Sequence, residues 1–289
     1  MKIFKSKKFF IALCITISLS FLIGYKLNKN VQPECISEIH FIDVGQGDSI
    51  LIHNKNYNIL IDSGPGSKKS KILKYLNKEH VKKLDYIIAT HPHEDHIGAM
   101  DKIINRFDVG TFIAPKITTP DIEFNNMINA LDSKRTSITS IPTNYRLQLD
   151  SDSYIDFLWT GENYKDDNLN NYSIVCKYTF GERSVLFTGD CEKDIENKLV
   201  ASNSSLKADI LKVPHHGSST SSTEQFINKV KPSISIISCG MGNEYGHPNK
   251  PTLQSLANIN SLIFRTDING DIILKTDGNS FSILTEKKN

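Results

Sequence analysis

The run His91-Pro92-His93-Glu94-Asp95-His96 constrains this chain more than any other part of it. Three imidazoles and two carboxylates stand between an apolar run at 86–89 and a segment whose residues Ile97, Met100, Ile103, Ile104 and Phe107 keep a helical period. A strand ending there delivers polar side chains to a sheet end, where groups from several strands can converge. Imidazole nitrogen and carboxylate oxygen are ligands of zinc and its first-row neighbours. Alternate residues of an extended loop point to one side, so His91 and His93 are expected to share one cation while Asp95 and His96 turn to a second. Glu94 points the other way and is expected to be solvated or to back the ligands. A merely polar loop with Asp95 as a helix cap explains the cluster poorly.

Two further segments follow the same grammar, an apolar run with polar groups at its C-terminal end. They are Val185-Leu186-Phe187-Thr188-Gly189-Asp190 and Ile210-Leu211-Lys212-Val213-Pro214-His215-His216-Gly217. Each alone could cap a sheet edge by chance; with the histidine run they predict a joint metal site. Apolar runs at 39–44, 49–52 and 58–61 read as strands, the last two joined by a polar hairpin turn at 53–56. A helix is expected over 68–78, and strands at 155–159, 173–180 and 184–187 before a helix at 192–201. Strands at 209–213 and 233–238 each precede a helix, near 223–230 and 252–257. Strands at 263–266, 271–275 and 281–285 end the chain, with Asn269-Gly270 expected to form a tight hairpin turn. Two packed sheets with helices outside satisfy this order better than one doubly wound sheet.

Charge is unevenly spread. The chain of 289 residues carries +2 in total, yet residues 1–30 hold six lysines and no acid, which leaves 28 basic against 32 acidic residues, about −4, in the remainder. That excludes a diffuse electrostatic footprint for nucleic acid; DNA or RNA would have to be held by a local patch or by cations. Five cysteines (Cys14, Cys35, Cys176, Cys191, Cys239) with no C-x-x-C pair argue against a disulfide framework and a thiolate zinc site. They read as small apolar residues.

Residues 9–25 are uncharged and follow Lys2, Lys5, Lys7 and Lys8. The stretch is at the lower length limit for a bilayer span. Four lysines before it outweigh Lys26 and Lys29 after it, and no small-x-small cleavage site follows. Residues 1–30 are therefore expected to hold an uncleaved N-terminal hydrophobic anchor helix, with a linker at 31–37 and one domain at 38–289 on the outer face of the cell membrane. A cleaved secretory signal would put the body on the same side without a tether.

Six segments then occur in a recognisable order: Asp43-Val44-Gly45-Gln46-Gly47-Asp48-Ser49, Leu60-Ile61-Asp62-Ser63-Gly64, the 91–96 run, Phe187-Thr188-Gly189-Asp190, Val213-Pro214-His215-His216-Gly217-Ser218 and Tyr245-Gly246-His247-Pro248. Over residues 39–277 the chain resembles the metallo-β-lactamase domain of ComEC-type competence proteins. The resemblance implies an α+β fold, a four-layer αββα sandwich, and a hydrolase using two divalent metal ions, zinc or manganese. It assigns His91 and His93 to the first metal, Asp95, His96 and His216 to the second, and Asp190 to the bridge, so that Asp95 and Asp190 serve catalysis directly. Pro-x-His-Gly is the pattern of the fold's last ligand, which selects His216; His215 becomes a phosphate contact or proton donor. Asp48 and Asp62 are expected behind the ligands, and Ser218, Ser219 and His247 beside the substrate.

Two departures limit the transfer. The fold usually offers a further histidine about twenty residues before the bridging aspartate, whereas here the neighbourhood reads Asn168-Leu169-Asn170-Asn171-Tyr172-Ser173. The first metal is left with fewer nitrogen ligands, so manganese, or a single tightly bound zinc, enters as an alternative to a dizinc site. No multi-span channel and no DNA-binding domain accompany the module, so a role in DNA uptake does not follow.

Charge balance favours a phosphodiester substrate: two dications against Asp95, Asp190, an activated hydroxide and a phosphodiester anion leave the loaded site neutral. Lys71, Lys74, Lys78 and Lys82 recur at helical spacing after Gly64 and read either as a basic stripe for DNA or as a solvated face. Three functions remain in view: a nuclease, an esterase of small or cell-wall phosphodiesters of phosphorylcholine type, and a tethered non-catalytic binding module.

Overall fold

The computed structural model describes residues 36–202 and 205–287. Among them, strands β1 (Ser37–Phe41), β2 (Ile50–His53), β3 (Asn58–Ile61), β4 (Lys83–Ile88), β5 (Asp108–Ile113) and β6 (Ile138–Thr139) belong to one sheet. β7 (Tyr145–Gln148), β8 (Ser153–Trp159), β9 (Val175–Phe180), β10 (Arg183–Phe187), β11 (Ile210–Lys212), β12 (Ile234–Ile237) and β13 (Leu262–Arg265) make the other. The chain then returns to the first sheet with β14 (Ile272–Thr276) and β15 (Phe281–Thr285), giving the orders β15-β14-β1-β2-β3-β4-β5-β6 and β13-β12-β11-β10-β9-β8-β7.

Burial explains the layering. Leu51, Leu60, Ile87 and Phe112 face outward onto the helices Lys69–Lys78, Met100–Arg106 and Ile122–Ser133, which bury Ile72, Leu76, Ile103, Phe124 and Met127 against them. On the other side Leu186, Leu211 and Ile237 pack on the helices Lys193–Ala201, Glu224–Val230 and Lys250–Asn258 through Leu199, Phe226 and Leu256. The inner faces meet each other: the rings of Phe41 and Phe187 are 6.2 Å apart, and the Tyr178 hydroxyl bonds Ser37 Oγ at 2.7 Å and the Tyr57 hydroxyl at 2.8 Å. With both faces covered, a strand such as β3 reads as a nearly unbroken apolar run instead of an alternating one.

The hairpin expected at 53–56 is present, with β2 and β3 antiparallel and Asn54 Oδ1 accepting the backbone N–H of Asn56 and Tyr57. The hairpin expected at Asn269-Gly270 is not. β13 pairs with β12 in one sheet and β14 with β1 and β15 in the other, so the helical turn Thr266–Asn269 carries the chain across the sandwich. The single helix read after His96 is broken into Glu94–Ile97 and Met100–Arg106. At the break Gly98 packs on Gly66 so closely that a Cβ would lie 2.3 Å from the Gly66 nitrogen, and the Ala99 N–H is spent on Gly64 O. β5 and the helix Ile122–Ser133 go beyond the elements expected from the sequence, the former because Asp108, Gly110 and Thr111 dilute its apolar signal.

The anchor expected at 9–25 lies outside the described residues. Among those described, no helix is long and apolar enough to cross a membrane. Cys176, Cys191 and Cys239 are buried and free, as small apolar residues would be; Cys14 and Cys35 lie outside the described residues.

Candidate metal centre

Five strands end at one place. β3 stops before Asp62, β4 before the 91–96 run, β10 before Asp190, β11 before His215 and His216, and β12 before Ser238. Parallel pairing of β3 with β4 in one sheet, and of β10, β11 and β12 in the other, brings these C-terminal ends together across the sandwich.

The imidazoles are aimed by what holds their other nitrogen. Asp62 is fully buried and accepts the Thr90 N–H and hydroxyl, both at 2.7 Å, and His96 Nδ1–H at 2.8 Å. With its own proton spent on Asp62, the Thr90 oxygen is free to accept His91 Nδ1–H at 3.1 Å. His216 gives Nδ1–H to Ser238 O at 3.0 Å. The Nε2 atoms of His91, His96 and His216 are thereby turned to the same space, the arrangement that metal-binding histidines need. Asp190 Oδ2 sits among them, 3.3 Å from His96 Nε2, 3.2 Å from His216 Nε2 and 4.0 Å from His91 Nε2. Asp95 Oδ2 is 3.1 Å from His216 Nε2, and His93 Nδ1 lies 3.1 Å from His91 Nε2. Ligand atoms of Asp95, His96, Asp190 and His216 all fall within 4.8 Å of one another. This donor set, with imidazole lone pairs converging on a central carboxylate, fits divalent cations.

Electrostatics follow from the burial. Burial opposes charge on His96, but Asp190, Asp95 and Asp62 hold its imidazolium well above the usual histidine range. His216 is likewise opposed by burial and yet pushed up to about 9, chiefly by Asp190. His91 moves the other way, well below its usual value, through burial and the neighbouring charge of His96. Burial also lowers His215, and burial with His216 and His215 brings His247 down to about 4.

Asp48 is buried behind His216, paired with Lys212 Nζ, which also donates to Gly189 O at 3.1 Å and lies 3.8 Å from Asp190 Oδ1. Lys212 has no exposed surface and was not singled out in the sequence, although a lysine inside Ile210-Leu211-Lys212-Val213 was the available signal. The glycines of the Asp43–Ser49 motif now have a reason. Gly47 has φ +125°, and a Cβ there would lie 2.2 Å from Asp95 O, which accepts the Asp48 N–H.

A cavity of about 930 Å³ opens over the cluster. His93, Asp95, Asp190, His215, His216 and His247 line it, as do Lys68, Lys71 and Tyr245. His215 is at its wall, not in the cluster interior: its Nε2 is 3.8 Å from Asp190, while Nδ1 meets Glu192 Oε1 at 3.3 Å. Both His215 and His216 have left-handed backbone, φ 50° and 53°, a conformation that concentrates at functional sites. His247 stacks on the exposed Tyr245 ring at 5.6 Å. Ser218 does not reach the cavity wall; it is buried in its loop, where its Oγ meets Thr220 Oγ1 and accepts the Thr220 N–H. Ser219 is exposed. Glu94 ties two loops together by accepting the Gly66 N–H. Of the lysine stripe, Lys71 reaches the cavity but faces Asp43 and Asp271, and Lys78 pairs with Glu79.

Residues 42–241 match the family model described as "Metallo-beta-lactamase superfamily". The chain belongs to that superfamily. Members of the metallo-beta-lactamase superfamily share the two-sheet fold and its site for divalent cations, and the chain is a metal-dependent hydrolase by fold. "ComE operon protein 3" of Bacillus subtilis is 32% identical over 260 residues, 82% of this chain and 33% of that protein. "Competence protein ComA" of Neisseria gonorrhoeae is 28% identical over 240 residues, 82% of this chain and 32% of that protein. The chain thus spans about a third of the length of these curated relatives. Among solved structures, the metallo-beta-lactamase fold protein YhfI from Bacillus subtilis superposes with a TM-score of 0.57 at 14% identity, over 83% of this chain and 100% of that one. The likeness to competence proteins, expected from the six motifs, is thereby met.

Proposed function

We propose that this protein is a metal-dependent phosphodiesterase that cleaves single-stranded DNA, working in DNA handling of the kind its competence-named relatives indicate. The observation that carries the reading is the cavity wall. Tyr245, 61% exposed and stacked on His247, offers an aromatic face in the wall, and Lys68 and Lys71 line the same cavity, Lys71 with its charge shared with Asp43 and Asp271. A stacking face beside cations and a basic edge suits an unpaired nucleotide, whose base stacks while its phosphate is neutralised. Divalent cations, when bound, supply an activated water and hold nonbridging phosphate oxygens. His91, His93, Asp95, His96, Asp190 and His216 would hold them. His215 holds Nδ1–H on Glu192 and faces Nε2 to the cavity; as an imidazolium, a state opposed by burial and supported by Asp190 and Glu192, it would give Nε2–H to a phosphate oxygen or to the leaving oxygen.

The test compares turnover of a labelled single-stranded oligonucleotide, its duplex and a chromogenic phosphorylcholine diester, with manganese or zinc supplied. The expected result is cleavage of the single strand, lost by about a hundredfold or more in Asp190→Asn with the fold retained. Turnover of the phosphorylcholine diester alone would replace the substrate class, and turnover of none by a metallated protein would favour a binding module. We further propose that residues 9–25 tether the domain to the outer face of the membrane, on the strength of the lysine bias. Protease added to intact protoplasts should then remove the domain; protection until lysis would refute that placement.

A further inference from the structure

The turn Leu169–Tyr172 holds a side chain that the ligand assignment leaves unused. Asn170 lines the same cavity as His93, Asp190 and His215 and is 8% exposed. Its amide has only one consistent orientation. Glu192 Oε1 lies 3.1 Å from Nδ2, and a carboxylate only accepts, so the NH₂ must face Glu192 and the carbonyl must face away. Glu192 is itself fixed, because Oε2 accepts Asn168 Nδ2 at 3.0 Å and Oε1 meets His215 Nδ1 at 3.3 Å. The turn is pinned as well: the Asn170 N–H bonds Asn168 Oδ1, Asn170 O accepts the Ser173 N–H, and Trp159 Nε1–H bonds Asn171 O. Yet Asn170 Oδ1, buried and held in this frame, has no hydrogen-bond partner. A buried carbonyl without a donor is uncommon in a folded protein and has room for a partner that accepts its lone pairs, a water or a cation.

We propose that Asn170 Oδ1 is a ligand of the cation held by His91 and His93. These two imidazoles and the Asp190 carboxylate leave that cation short of a full set, and a neutral amide oxygen completes two nitrogens and two oxygens from the protein. An oxygen donor in place of a nitrogen makes the site harder and shifts it toward manganese relative to zinc. Glu192 is a positioning residue here, holding the amide so that oxygen and not nitrogen enters the site. The inference rests on the metal centre of the hydrolase reading but not on its phosphodiester substrate.

The test reads metal binding directly on the full chain. Wild type, Asn170→Ala, Asn170→Asp and Asn170→His are titrated with Mn²⁺ followed by electron paramagnetic resonance and with Zn²⁺ by competition, with circular dichroism checking the fold. Wild type is expected to bind Mn²⁺ with a spectrum in which paired ions couple. Asn170→Ala should weaken one Mn²⁺ by about tenfold or more and lose the coupling. Asn170→Asp, whose second oxygen would face the Glu192 carboxylate, should change the Mn²⁺-to-Zn²⁺ preference, and Asn170→His should raise the preference for Zn²⁺. Unchanged Mn²⁺ affinity and spectrum in Asn170→Ala would overturn the assignment while leaving the hydrolase reading intact. Should Asn170→Ala misfold, an identical Mn²⁺-to-Zn²⁺ preference in wild type, Asn170→Asp and Asn170→His would overturn it equally. A wild type that binds neither ion would overturn both.

Discussion

Lys212 and Asp48 form a dry ion pair directly behind His216 and Asp190. Neither side chain can reach water, so removing one partner strands the other. Lys212→Met is expected to cost about 3–5 kcal/mol in denaturant unfolding, and adding Asp48→Leu should recover most of it, since an apolar pair carries no desolvation penalty. A loss below about 1 kcal/mol in the single variant would show that the pair is hydrated. Protons and cations compete at the neighbouring histidines. His216 is raised from 6.5 to about 9 and His96 is raised too, so without a cation both carry a proton at neutral pH. The His216 contribution to the stability of the cation-free protein is full below pH 6.5 and is lost as pH rises through about 9, and that of His96 has the same sign. A cation must displace those protons, so its affinity should climb with pH over the same window. Calorimetric titration in buffers of different ionisation enthalpy should count released protons at pH 7; none released would contradict the raised values.

The loop between β1 and β2 matters through its backbone. Gly47 approaches the Asp95 carbonyl where no Cβ fits, and the adjacent Asp48 N–H bonds that same carbonyl. Gly47→Ala is expected to cost about 2–3 kcal/mol and to weaken cation binding, because the loop carrying Asp95 must retreat. Gly242 is the control: it also has positive φ, but nothing lies within 4 Å of its would-be Cβ. Gly242→Ala should cost about 1–2 kcal/mol from backbone strain alone and leave cation affinity unchanged. Equal effects on affinity would mean that the Gly47 contact does not position Asp95.

The proposed ligands come from both halves of the sandwich. His91, His93, Asp95 and His96 follow β4 in one sheet, whereas Asp190 and His216 follow β10 and β11 in the other. A cation bound between them ties the two sheets together in the folded state only. Binding at a hundredfold excess over Kd adds about 2.7 kcal/mol, so chelation should lower the calorimetric Tm by several degrees. Return of the cation should restore it. A Tm indifferent to chelator would mean that the site closes equally well without the ion.

Residue order alone was enough for the strand-ended grammar of the site. The 91–96 run, Asp190 and the His215-His216 pair each follow an apolar run, and period and polarity are local properties that survive without neighbours. Gly47 and Gly64 were likewise readable as motif positions. The left-handed pair at 215–216 was not readable locally: the chain reverses there, sending His216 inward to Ser238 and leaving His215 at the cavity wall. Lys212, Asn170 and Glu192 acquire meaning only through partners distant in sequence, since the worth of a buried charge or amide depends on what stands opposite it. The path after β13 departs from the expected hairpin for the same reason. Asn269-Gly270 carries a turn signal, but strand pairing across the whole sandwich decides whether that turn closes a hairpin or sends the chain to the other sheet.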